Sequence, residues 1–524
     1  MPIVRQQGND MKITKIITAG LMLLATMTAT AQERYFTPLG RMFDLDMQAS
    51  VAQDTADRVL FTAMKPVLVP TDEPLPIAKP ELSTAQWLKR HFFDDDFLQF
   101  SSDVHAITVN PIFHFQRTYL RNDKETELAY YKRVYPNADN DGDKFYFLNT
   151  RGFEAFGRLG KKIYFNTEFY ENQARYTRYE DSIINVMRGI PGQGFGKAFK
   201  DDGKDWAIVF GHLSVNVNKH LSITLGNGKN SIGSGYRSVI LSDLSFNYPF
   251  LRTDLNFGKF YYYVLWGYMQ SDHWSYFSTH ETGESHYKYA SYHVAGWKPN
   301  NKLELAVVEG VMWKNTNKDN VYKYGPNAMM FVPVIGLPLA SYGFNDDNRV
   351  QIGFDVNYTP IKYIKLYGQY NYQGKNRAIS TKDFRGYQLG LHLFDMTFGN
   401  VNGLKSHFQM EYTSSIISDG RLSSDFWNYG YPLTTLNVVR GDIDEIYIAA
   451  ELEYKRVAVE GLWQHTQFSD RKSLTLRYML NRKTKWNIYA TMMSRKVEFP
   501  NYDYDNNMLV IGMSICPQNF YFDF

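Results

Sequence analysis

From about residue 103 onward, polar and apolar residues alternate in short runs. In residues 349–358, Arg349, Gln351, Gly353, Asp355 and Asn357 fall on one side, and Val350, Ile352, Phe354, Val356 and Tyr358 on the other. The next run sets Lys365, Tyr367, Gln369 and Asn371 against Ile364, Leu366, Tyr370 and Tyr372. Ile446, Ile448, Ala450, Leu452 and Tyr454 oppose Tyr447, Glu451 and Glu453, and Arg252, Asp254 and Asn256 oppose Leu251, Thr253, Leu255 and Phe257. Period two is the side-chain period of a β-strand. Strands are predicted to start near residues 103, 144, 161, 205, 219, 248, 259, 286, 302, 348, 362, 384, 404, 443, 456, 472, 484 and 506.

Their connections alternate in length. Tight turns fall near Gly160-Lys161, Asn218-Lys219, Gly258-Lys259, Asn300-Asn301, Pro360-Ile361, Lys455-Arg456 and Arg482-Lys483. Long loops lie between them, among them 118–143, 174–204, 228–247, 271–286, 314–347 and 415–442. The pattern predicts an all-β fold, a transmembrane antiparallel β-barrel of about 18 strands with periplasmic turns and surface loops. One strand face suits lipid, and the charged face calls for water beside it. An even count places both barrel ends in the periplasm. Glu309 falls on the apolar side of its strand, which predicts a bulge or a register shift there.

The chain before the barrel reads differently. Lys12 and Lys15, the apolar run Ile16 to Ala25 and Ala29-Thr30-Ala31 form a signal-peptide pattern, so residues 1–31 are expected to be removed on export. Residues 32–100 form a small periplasmic segment, helical and proline-rich. Leu39, Met42, Phe43 and Met47 recur at helical spacing, and Ser83 and Thr84 can cap a helix carrying Trp87, Leu88, His91 and Phe92. Pro66, Pro70, Pro74, Pro76 and Pro80 impose an extended stretch between them. Asp94-Asp95-Asp96 reads as a solvated stop before the barrel at 101–524, in preference to a metal site. The closing Phe520-Tyr521-Phe522-Asp523-Phe524 resembles the terminal signal read by barrel-assembly machinery. That machinery and outer-membrane lipid are the expected assembly partners.

Composition narrows the field. Aromatics number 39 Tyr, 36 Phe and 9 Trp in 524 residues, yet mean hydropathy is −0.40. Apolar membrane helices need roughly 20 apolar residues in a row and are excluded. A hydrophobic share of 44% excludes wholesale disorder. With 57 basic and 54 acidic residues there is no nucleic-acid footprint. Cys516 is the only cysteine, which excludes an internal disulfide framework.

Catalytic patterns fail on inspection. The glycine-rich stretch from Gly189 to Lys197 resembles a phosphate loop, but Pro191 holds the first glycine's position and Ala198 replaces the Mg²⁺-binding hydroxyl. Asp272-His273, His280-Glu281, Glu284 and His286 read as ordinary polar loop residues, and His392 and His407 as members of hydrogen-bonded lumen networks. No enzyme activity, catalytic residue or cofactor is assigned. Asn137, Asp139 and Asp141 match the opening of a calcium loop, with Gly142 in place. The twelfth position is Leu148 and not an acid, so an ion-free acidic turn is favoured over calcium.

The aromatic loop residues are better candidates. Trp274, Tyr276, Trp427, Tyr429 and Tyr431 lie beside Asp, Asn and Arg. Such faces suit sugar rings, whose C–H faces stack and whose hydroxyls hydrogen-bond. Tyr322 and Tyr504, close to strand ends, fit an interfacial girdle instead.

The stretch Gly226 to Leu251, GNGKNSIGSGYRSVILSDLSFNYPFL, resembles a motif of the capsule-assembly outer-membrane family (Wzi-type), most closely its gliding-motility relatives (RemB-type). FTAMKP at 61–66 and the closing DF share the resemblance. It implies an eighteen-stranded barrel with a helical periplasmic bundle that holds surface polysaccharide without catalysis, or a mobile surface adhesin. Read from its residues, the stretch is a folded-in loop whose glycines permit tight backbone. Tyr236 and Arg237 are its candidate contact residues, with a pore-closing plug favoured over a ligand site. Binding surface polysaccharide is the leading expectation, and a solute-conducting porin-like channel the alternative. Cell fractionation should recover the protein in the outer membrane, with faster gel migration before heating than after. Recovery as a soluble periplasmic protein overturns the barrel.

Overall fold

The computed structural model describes residues 34–53, 60–70, 84–102, 104–125, 145–187, 189–200, 202–270, 287–313, 326–344, 348–374, 383–396, 403–417, 443–499 and 502–521. The expected signal peptide at 1–31, the calcium-loop candidates Asn137, Asp139 and Asp141, and Trp274, Tyr276, Trp427, Tyr429 and Tyr431 lie outside them.

Eighteen antiparallel strands close into one barrel. They are β1 His105–Glu125, β2 Tyr146–Leu159, β3 Ile163–Arg175, β4 Gly203–Asn216, β5 Leu221–Gly228 and β6 Tyr248–Phe257. Next come β7 Phe260–Gln270, β8 Tyr287–Asn300, β9 Leu303–Trp313, β10 Arg349–Ile361, β11 Ile364–Gln373 and β12 Phe384–Phe394. The last are β13 Leu404–Ile417, β14 Ile443–Tyr454, β15 Val457–Thr466, β16 Ser469–Asn481, β17 Trp486–Phe499 and β18 Tyr502–Ile515. Each strand pairs with the next in sequence, and β18 pairs with β1, Ile515 opposite Phe113. The strands begin close to where the alternation begins. The largest offsets are β18, from Tyr502 and not 506, and β16, from Ser469 and not 472.

The alternation becomes two surfaces. Leu225, Leu389 and Met492 point outward and are more than 60% exposed, while Lys365, Gln369 and Asn371 are buried inside. An apolar belt of this extent is untenable in water and is the surface that hydrocarbon covers. Tight turns hold the register. Gly258-Lys259 joins Phe257 to Phe260 with Gly258 at φ +61°, and Lys455 takes φ +54° in the turn between β14 and β15. Positive φ at such positions matches the right-handed twist of the flanking strands.

Two helices lie at the short-turn end. They are α1 Arg41–Gln53 and α2 Thr84–Phe93. Asp46 of α1 pairs with Lys405 and Lys485, and Gln53 donates to Asp395 at 2.5 Å. Beyond α2, the aspartate run departs from expectation. Asp94 pairs with Arg456, but Asp95 and Asp96 are buried because Lys483 reaches both, at 3.0 and 2.6 Å. They tie the first strand to a turn, where solvated carboxylates were expected.

Two further expectations are corrected, at Glu309 and at Tyr504. No bulge forms at Glu309, since β8 and β9 pair without interruption from Tyr289–Trp313 to Trp297–Leu305. Glu309 keeps its outward position and is buried because residues 336–339 cover it and donate two backbone N–H groups to it. Beyond Ile515 the chain turns inward, where the Tyr521 hydroxyl donates to Asp243 and Phe520 meets Tyr170 edge-on. Tyr504 is not part of a girdle. It is buried on the lumen side and stacked at 4.9 Å on Tyr179 of helix α3, Arg178–Met187.

Candidate functional site

The lumen is the candidate site, and it is filled. Residues 229–247 leave the end of β5, cross the interior and return to β6. Ser231–Ile232 pairs as a short antiparallel ladder with Met64–Lys65, and the Gly233 amide donates to the Ala63 carbonyl at 2.7 Å. The FTAMKP stretch and the glycine-rich stretch, far apart in sequence, therefore form one two-stranded element inside the barrel.

Wall side chains hold this plug by its backbone. Gln369 donates to the Ile232 carbonyl, Asn371 to Val239 and Gln388 to Arg237, at 2.7 to 2.8 Å. Glu411 accepts from the Tyr236 amide at 2.9 Å. Ser234 donates to Asn357 and accepts from Lys365. These residues belong to the polar face of β10 to β13. The sequence suggested water beside that face. The structure supplies peptide groups, which pair the same donors and acceptors without a solvent-filled bore. Glycine is required where the plug comes closest. A Cβ at Gly233 would stand 1.9 Å from the Gln369 amide nitrogen, and one at Gly235 would stand 2.2 Å from the Gln388 oxygen.

Tyr236 and Arg237 sit in the middle of this arrangement. The Tyr236 ring stacks on Tyr447 at 4.1 Å and meets Tyr521 edge-on at 5.3 Å. The Arg41 guanidinium lies 5.4 Å from both the Tyr236 and Tyr447 rings and donates to the Tyr447 hydroxyl. Arg237 pairs with Glu445 at 2.7 Å, both side chains 2% exposed. The space beside Tyr236 is about 40 Å³, room for a few water molecules and not for a sugar ring. Nearby, burial lowers the Lys229 ammonium to about 8 and raises the Asp243 carboxyl, each partly countered by the other.

Residues 60–67 and 516–521 complete the filling. Glu304 accepts from the Thr62 and Ala63 amides and from the Thr62 and Tyr261 hydroxyls, all within 3.2 Å. Arg252 donates to the Pro66 carbonyl. The Tyr521 hydroxyl lies 2.9 Å from the Tyr236 carbonyl.

Two larger cavities remain in the interior. One cavity of about 250 Å³ is lined by His114, Tyr176, Glu180, Glu460, Arg471 and Tyr489 among others. A second, of about 370 Å³, lies toward α1 and is lined by Asp46, Lys405, His407, Glu451, Arg477 and Lys485 among others. Arg477 stands between them, donating to Glu451 at 2.7 Å and Glu460 at 2.9 Å. His392 and His407 bond to each other at 3.0 Å, and His392 to the Ser234 carbonyl. Among the described residues, no three His, Cys, Asp or Glu side chains converge on a metal position.

Sequence reading missed the anchors Gln369, Gln388, Glu411 and Glu445. Their one visible signal was the recurrence of amide and carboxylate side chains at lumen positions of adjacent strands, next to a loop rich in glycine.

No protein-family model and no curated protein sequence matches the chain. Among solved structures it is similar to Wzi of Escherichia coli, an outer membrane protein involved in group 1 capsule assembly described as a carbohydrate-binding β-barrel. The TM-score is 0.50 at 10% identity, over 93% of this chain and 100% of that one. OccK9 (OpdG) of Pseudomonas aeruginosa gives 0.44 at 7% identity, over 78% of this chain and 98% of that one. OccAB3 of Acinetobacter baumannii gives 0.42 at 10%, also over 78% and 98%. The likeness to Wzi is one of fold. The comparisons give no support to the gliding-motility relatives.

Arg237→Ala should leave Glu445 buried with only the Gln464 amide beside it. Breaking a buried pair in this way costs about 3–5 kcal/mol. The refolded barrel is expected to unfold at lower urea concentration and to expose the plug to protease. Unchanged resistance on both measures would mean that the pair does not hold the plug.

Proposed function

We propose that the protein is an outer-membrane barrel that binds or organises polysaccharide at the cell surface, with no catalytic role. The observation that carries this reading is the anchored plug. A barrel crossed by residues 229–247, and entered by residues 60–67 and 516–521, offers its surface loops as the working part. Its fold is that of a barrel described as carbohydrate-binding. The loop aromatics Trp274, Tyr276, Trp427, Tyr429 and Tyr431 supply stacking faces of the kind sugar rings need. Asn137, Asp139 and Asp141 supply oxygen ligands for a calcium ion at the same surface, if one is bound. A capsule role draws on the fold; a motility role draws on the sequence resemblance alone.

A solute channel is the second reading. Its support is the pair of cavities separated by the Arg477 ion pairs. Planar-bilayer recording separates the two. The binding reading expects no large steady conductance from the wild type. Steady channels that widen in Arg477→Ala would favour transport.

The binding reading also predicts the outcome at the loop. Sugar–aromatic contacts are worth roughly 0.5–1.5 kcal/mol each beyond burial, and a long polymer multiplies weak contacts by avidity. Trp427→Ala with Tyr431→Ala should therefore reduce polymer retention on cells while leaving heat-modifiable migration intact. Unchanged retention by a correctly inserted double mutant removes this loop from the hypothesis.

A further inference from the structure

Seventeen residues from Ala328 to Phe344 contain no Asp, Glu, Lys or Arg, although they belong to a long surface connection between β9 and β10. They do not stand up from the rim. Met330, Met329, Leu339, Tyr342 and Phe344 pack on Val311, Trp313 and Val350, with Trp266 and Tyr289 beside them. Those wall residues face away from the lumen. Their strand neighbours Leu265, Ala290, Tyr292 and Met312 are the ones that meet the plug residues Val239, Ile240 and Leu241. The segment, which includes helix α4, Leu337–Tyr342, is thus laid against the outside of the barrel across β7 to β10.

It is fastened there. Trp266 donates its indole N–H to the Met330 carbonyl at 2.7 Å. Glu309 accepts from the Gly336 amide at 2.8 Å and the Leu339 amide at 2.9 Å. Behind it, His293 Nδ1 lies 3.2 Å from the Glu309 carboxylate, and both side chains are wholly buried. Glu309 is four residues inside the Trp313 end of β9, which is roughly 10 Å down a tilted wall. An outward carboxylate at that depth needs protein donors, because hydrocarbon offers none.

The far side of the segment is apolar. Phe331 and Val334 are 51% exposed and Leu337 is 37% exposed, level with an outer wall that exposes Val307, Phe354 and Val356 on the same strands. We propose that residues 328–344 are a strap seated in the outer leaflet, with Phe331, Val334 and Leu337 against lipid acyl chains and Glu309 as the inward fastening. The acyl chains are chosen over a second protein copy because the strap carries no charge and its exposed side chains Phe331, Val334 and Leu337 are as apolar as the belt beside it. This rests on the barrel lying in the outer membrane.

The test uses single cysteines in a Cys516→Ser background on intact cells. Val334→Cys is compared with Leu389→Cys on the lipid-facing wall and with Glu498→Cys at the long-loop end of β17. A membrane-impermeant maleimide should label residues 334 and 389 at least about tenfold more slowly than 498, because a charged reagent is excluded from hydrocarbon. A bimane at 334 should be quenched by brominated acyl chains in vesicles. Glu309→Leu should speed labelling at 334 while heat-modifiable migration persists, and Glu309→Gln serves if the leucine variant does not assemble. Fast labelling at 334 with slow labelling at 389 overturns the strap and leaves the membrane reading standing. Fast labelling at both overturns the membrane reading. Slow labelling at 334 with disulfide-linked dimers on oxidation assigns the surface to a second copy and overturns the lipid seat.

Discussion

A peptide strand that crosses the inside of a barrel has neither bulk water nor a full ladder of neighbours for its N–H and C=O groups. Each unpaired group left buried there costs about 1–3 kcal/mol. In this protein the wall supplies the pairing through side chains. Gln369, Asn371 and Gln388 donate to plug carbonyls, and Glu411 accepts from a plug amide. Glu304 does the same for the incoming chain at Thr62 and Ala63. The position of everything else inside follows from these bonds. The plug fixes Tyr236 against Tyr447, and Tyr521 closes on both Asp243 and the Tyr236 carbonyl.

Three stretches remote in sequence are therefore interlocked in one interior: residues 60–67, the plug, and residues 516–521. Their meeting point is aromatic and cationic, with Arg41 beside the stacked Tyr236 and Tyr447 rings. Specificity comes from geometry as well as charge, since Gly233 and Gly235 approach the wall too closely to carry a side chain. Loops mounted on a wall braced in this way can vary in sequence while their roots stay fixed, which suits recognition by surface segments.

The strands were legible because alternation is a direct imprint of two unlike surroundings, and strand starts followed it closely. The contents of the lumen were less legible for a related reason. A polar inward face is equally well satisfied by water or by peptide groups, and period two does not distinguish them. Asp95 and Asp96 misled because their partner, Lys483, is remote in sequence. Glu309 was a true signal given the wrong cause. Its outward position was visible from parity, and the charge-free run from Ala328 to Phe344 that covers it was equally visible, but nothing in the sequence alone joined the two. Tyr236 and Arg237 stand out in the sequence as candidate contact residues, and their contacts prove to be with the protein's own wall.

The plug leans to one side. Most of its side-chain hydrogen bonds to the wall go to β10 through β14, and the seam where β18 meets β1 lies beside the cavity lined by His114 and Tyr489. The cylinder is therefore braced differently on its two sides, by the plug on one and by helix α3 and residues 516–521 on the other. During assembly the plug-braced side can form on a solid template while the opposite edges are still apart. The seam then closes over the cavity beside His114 and Tyr489, and Tyr504 settles on Tyr179 as it does.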